Sequence, residues 1–69
     1  MENKQIREHL IDNGVRNLMA NGFKNVTKEN IIKNEKYREE FKFLLIKEIG
    51  SNDGFRDMVK NLLPEIFKY

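Results

Sequence analysis

The chain has no cysteine and no tryptophan, a single proline, a single histidine and only four glycines. Each shortage closes off a class of protein. Without cysteine there is no disulfide and no thiolate zinc site, and His9, the lone imidazole, cannot build a zinc site within the chain. The glycines at 14, 22, 50 and 54 are too scattered for a phosphate-cradling loop, and no P-loop lysine pattern occurs. No apolar run is long enough to span a membrane. The opening MENKQIREHLIDNG carries acidic side chains and no secretory apolar core, so a cytoplasmic protein is expected.

What is present is a chain of 69 residues, room for one domain over 1–69. A core this small yields only about 3–5 kcal/mol net, and natural chains of this size add disulfides, metals or a second subunit. With the first two closed, self-association or a protein partner is the expected reinforcement. Thirteen basic and eleven acidic side chains leave a net charge of +2, and the signs alternate along the chain. That pattern favours solubility and says little for nucleic acid.

Apolar residues recur at helical spacing from Lys4 to Ala20 as Ile6, Leu10, Ile11, Val15, Leu18 and Met19. Asn13-Gly14 is a turn signal, yet the apolar face stays in phase across it, so one continuous helix is expected, with Gly14 costing about 1 kcal/mol relative to Ala. In NGFKNVTKENII, Gly22 supplies a helix stop, with Leu18 the natural contact for Phe23. Thr27 can then cap a helix opening at Lys28, with Val26 and Ile31 spaced as a hydrophobic staple. Asn34 interrupts that short helix and caps the next, Glu35 to Ile49, which Gly50 ends. The cleanest amphipathic pattern follows, from Phe55 through Met58, Val59, Leu62, Leu63 and Ile66 to Phe67, with Pro64 inside it. The apolar phase survives the proline, which favours a kink. The fold expected is all-α: three principal helices plus one short helix, the C-terminal one kinked at Pro64. Its centre is expected to hold Leu10, Leu18, Phe23, Phe41, Leu44, Leu45, Val59, Leu62 and Ile66.

Catalysis finds little support. Ser51 and Thr27 sit where helix caps are wanted, and Glu39 and Glu40, adjacent on a helix, point apart and cannot share a proton. A non-enzyme is expected, with no cofactor, no metal and no small-molecule substrate. His9 reads as a solvated residue on the polar side of its helix.

DNA binding is the alternative function. LMANGFKNVT resembles the opening helix and turn of bacterial TetR-type repressors, which implies a helix-turn-helix regulator. Past the threonine, KENIIKNEKY departs from the small-residue turn of that family. Lys36, Arg38, Lys42 and Lys47 are interleaved with Glu35, Glu39, Glu40 and Glu48, and carboxylates repel phosphates. The basic residues that would carry nucleic-acid contact are Arg7, Arg16, Lys24 and Lys28.

The reading with most physical support is contact with a protein. Tyr37, Phe41, Leu44, Leu45 and Ile49 form one stripe on the third principal stretch, and Phe43 and Ile46 fall on a different side. Either Phe43 and Ile46 meet the kinked end of the last helix, or they face a partner. The interface residues expected are Phe43, Ile46, Phe67 and Tyr69, in a homodimer or against a host or phage protein.

The segment Asn13 to Ile49, through Gly22-Phe23, Val26-Thr27, Glu29-Asn30-Ile31, Tyr37 and Phe41, resembles a group of small uncharacterised tailed-phage proteins. In those, a Gly-aromatic pair leads to a VTxENI stretch and an aromatic-bearing helix. The resemblance covers about half the chain. It implies a phage or prophage origin and brings no activity with it.

Overall fold

A computed structural model describes residues 3–67. It holds five helices and, among the described residues, no strand: α1 (Asn3–Ala20), α2 (Asn30–Lys33), α3 (Glu35–Ile49), α4 (Asp53–Leu62) and α5 (Pro64–Phe67). The fold is an all-α bundle, as expected. α1 and α3 pack on each other, α2 lies against α3, α4 covers α1, and α5 folds back onto α3.

α1 runs unbroken through Asn13-Gly14 because Gly14 is part of its packing face. Leu10, Gly14 and Leu18 are all buried and follow one another at four-residue intervals. An added Cβ at Gly14 would come within 2.5 Å of Phe41 Cδ1 and 3.0 Å of Cζ, so the glycine is what lets α3 approach.

The α1–α2 corner follows its local chemistry. The Gly22 N–H donates to Met19 O at 3.1 Å and the Phe23 N–H to Leu18 O at 3.0 Å, with Gly22 at φ 91°. This paired closure satisfies the last carbonyls of α1. Thr27 Oγ1 then accepts from the Asn30 N–H at 3.0 Å, capping a turn through Lys28 and Glu29. α2 itself opens at Asn30, not at Lys28 as the capping pattern predicts. Tyr37 ties the corner to α3. Its hydroxyl donates to Lys24 O at 2.7 Å, and its ring meets Phe23 edge-on with centroids 5.2 Å apart. Asn34 ends α2 and opens α3, its side chain accepting from the Lys36 and Tyr37 N–H groups.

The C-terminal pattern breaks at Pro64; it does not kink. α4 ends at Leu62, Leu63 lies at φ −124° and ψ 58°, and Pro64 is the first residue of α5. Proline disfavours helical backbone in the residue before it and suits a first helical position, where its missing N–H is not needed. The break corrects the expected core as well. Leu63 is fully buried, while Leu62 is only half-buried, as are Phe23 and Leu44 at the rim. The completed centre is Leu10, Ile11, Leu18, Val26, Ile31, Phe41, Leu45, Ile49, Val59, Leu63 and Ile66, with no polar residue among the buried described residues.

Candidate interaction surface

Phe43 and Ile46 lie on the side of α3 turned away from Phe41, one helical turn apart, and are 60% and 38% exposed. They do not disappear against the end of α4. Each methylene or ring edge left wet forgoes the burial free energy of about 25 cal/mol per Å² that orders the rest of the chain. Glu39 and Lys47 are exposed on the same side, and no ion pair among the described residues engages either.

Of the other two expected anchors, Phe67 is half-buried and packs on the core, because the break before Pro64 turns α5 inward. Tyr69 lies outside the described residues. Phe43 and Ile46 therefore carry the exposed apolar area of the expected set.

A second apolar region goes beyond the sequence-based expectation. A groove of about 480 Å³ runs between α1 and α4, lined by Gln5, Ile6, His9, Leu10, Phe55 and Met58. It adjoins a smaller cleft of about 180 Å³ over Gly14 and Phe41, rimmed by Asn13, Asn17 and Glu48. Phe55, on the boundary, is 37% exposed. A signal for it exists in the sequence: Phe55 is the first apolar residue after a cap cluster, at the end of a helix where burial is least complete. The cleft contains one imidazole and one carboxylate, and no hydroxyl, thiol or amine able to act as a nucleophile. His9 Nε2 stands 3.4 Å from Asn13 Nδ2. No group of three or more His, Cys, Asp or Glu side chains among the described residues could hold a metal ion. None of the described helices is long and apolar enough to cross a membrane.

The four basic residues named for nucleic acid do not form one free patch. Arg7 is half-buried and holds both ends of the α4–α5 junction: Nη1 donates to Leu62 O at 2.7 Å and to Glu65 Oε1 at 3.0 Å, and Nη2 to Glu65 Oε2. These bonds are the main reason the Glu65 carboxyl is held below its usual range, its own backbone N–H adding to the effect. Lys28 pairs with Asp12 at 3.2 Å across a shallow depression that Arg16 also lines. Lys24 lies in a separate depression with Lys36.

Arginine serves the fold in a repeated way. Arg38 Nη1 donates to Ile32 O in α2, Arg56 Nη2 to Gly50 O at the end of α3, and Arg7 to Leu62 O at the end of α4. Three of the four arginines thus bind carbonyls at helix C-termini, where cations are favoured. Arg16 is the remaining one.

Comparison with protein-family models, with curated proteins and with solved structures finds no match to this chain.

Proposed function

We propose that this chain is a small non-catalytic helical protein, of phage or prophage origin and cytoplasmic, that works by contact with a protein through the outer face of α3. The partner is a second copy of the chain or a host or phage protein. The observation that carries the reading is the pair Phe43 and Ile46, wet on a helix whose other side buries Phe41, Leu45 and Ile49. Isolated exposed apolar residues are ordinary, but an aromatic and a β-branched residue one turn apart make a compact anchor that buries much area with few rotatable bonds. The commitment of Arg7, Arg38 and Arg56 to helix ends, and of Lys28 to Asp12, leaves fewer cations for phosphates and weighs against the helix-turn-helix reading.

The test is capture of binding proteins by the wild-type chain and by Phe43→Ala/Ile46→Ala, with circular dichroism showing that both remain folded. Proteins held by the first and lost by the second support the reading. Retention of the same proteins by both would overturn it.

A further inference from the structure

The outer face of α3 carries a spacing of residues that bears on what could cover it. Within α3, Lys36 and Phe43 stand seven residues apart with Glu39 between them and Ile46 following, which is the a and d spacing of a two-helix seam, and the helix ends one residue before the next such position, at the cap Gly50. The seam is apolar only at its middle, where Phe43 and Ile46 are exposed. Charge is distributed unevenly on either side of that middle. Immediately flanking it, Glu39 and Glu40 lie on the N-terminal side and Lys47 on the C-terminal side, while Lys36, a turn further out, stands over the Phe23 ring.

We propose that α3 pairs with α3 of a second copy of this chain, antiparallel, with Phe43 of each copy packed beside Ile46 of the other and Glu40 of each facing Lys47 of the other. This rests on the reading above, that this face works by protein contact, and names its partner. The direction follows from charge. In an antiparallel pair, residues face each other when their numbers add to a constant, and placing 43 against 46 brings 40 within two residues of directly opposite 47. A parallel pair would set Glu39 and Glu40 against their own copies and Lys47 against Lys47, and like charges so placed are repelled. Two-fold symmetry doubles every favourable contact, since an isologous interface uses the same patch twice. Gly50 has no side chain, and an added Cβ there would meet nothing within 4 Å, so that end of the seam is open to a neighbour.

The contact is small. α3 has 15 residues and is about 22 Å long, so the pair buries less than the roughly 1,200 Å² at the low end of stable interfaces. The dimer is accordingly weak and forms only at high chain concentration. The ion pairs set the direction and add little to affinity, because they stay solvated.

The absence of native cysteine gives a clean test. Glu40→Cys and Lys47→Cys chains, each folded by circular dichroism, are mixed at high concentration under mild oxidation, and sedimentation of the wild type is followed over a concentration series. The expected result is a reversible wild-type dimer, weakened at least tenfold by Phe43→Asp, and a disulfide that joins one Glu40→Cys chain to one Lys47→Cys chain in preference to two chains of the same kind. Preferential joining of each variant to its own kind would overturn the antiparallel arrangement. A wild type monomeric at every concentration overturns self-pairing altogether. In that case, Phe43-dependent capture of another protein leaves the broader contact reading standing, whereas capture that ignores Phe43 removes both.

Discussion

The ring of Phe41 lies against the backbone of Gly14, so close that a single methyl group on that glycine would stand 2.5 Å from Cδ1. The two long helices of the bundle meet at this point, and the remainder of the core is arranged around it.

Gly14→Ala is therefore expected to destabilise the chain. At an exposed helical site the same change would stabilise by about 1 kcal/mol, through helix propensity alone. Here overpacking costs about 1–3 kcal/mol and reverses the sign. Urea denaturation checks it, and Phe41→Leu in the Gly14→Ala background is expected to recover part of the loss. A more stable Gly14→Ala chain would show that the ring moves aside freely.

Phe41 and Phe43, two residues apart, are expected to behave oppositely. Phe41 is 2% exposed and Phe43 60%. Phe41→Ala costs about 3–5 kcal/mol, comparable to the whole net stability of a core this small, and the chain should be largely unfolded. Phe43→Ala should change monomer stability by no more than about 0.5 kcal/mol. Circular dichroism at low chain concentration distinguishes them.

The caps at Asn34 and Tyr37 give a graded pair. Asn34→Ala removes an acceptor for two N–H groups of α3 and should cost about 1 kcal/mol. Tyr37→Phe keeps the edge-on contact with Phe23 and removes only the bond to Lys24 O, for a loss of about 0.5–1.5 kcal/mol. Amide exchange at residues 21–27 should rise in the second variant and stay near wild type in the first.

Glu65 gives the chain an acid-sensitive contact. Its folded carboxyl titrates below the ordinary value of 4.5, chiefly because Arg7 binds the ionised form. A depressed carboxylate contributes stability that is present above the unfolded value and is lost as pH falls through the folded one. The stability difference between wild type and Glu65→Gln should thus be full above about pH 4.5 and shrink as acid is added below it. Arg7→Ala should lose about 1 kcal/mol near neutral pH and reduce that pH dependence to the smaller part due to the Glu65 backbone N–H, since it removes both the ion pair and the cap on Leu62. A difference unchanged between neutral and strongly acid conditions would count against the contact.

How much of this is legible in the sequence depends on distance along the chain. Gly22-Phe23, Thr27 and Asn34 act on groups within five residues of themselves, and their roles follow from local chemistry. Phe43 and Ile46 are separable from Phe41 because helical phase alone sets which side of α3 they occupy. Gly14 reads in sequence as a defect in α1, although its four-residue spacing from Leu10 and Leu18 puts it on the apolar stripe; what sequence lacks is the knowledge that Phe41 arrives there. Arg7 and Glu65 are 58 residues apart, and no local rule joins them. The exchange of Leu62 for Leu63 in the core follows from a single non-helical residue, which periodicity cannot register.

That residue owes its geometry to Pro64, and the ring decides where the final turn goes. Were position 64 able to donate an N–H, α4 and α5 could fuse into one straight rod, swinging Ile66 off α3 and Glu65 out of reach of Arg7. The vacated slot would then suit the same rod from a neighbouring molecule, so Pro64→Ala should trade compact monomers for arm-exchanged pairs on gel filtration. A lone imino acid thereby closes the path along which α4 would run on and turns the last helix back onto α3.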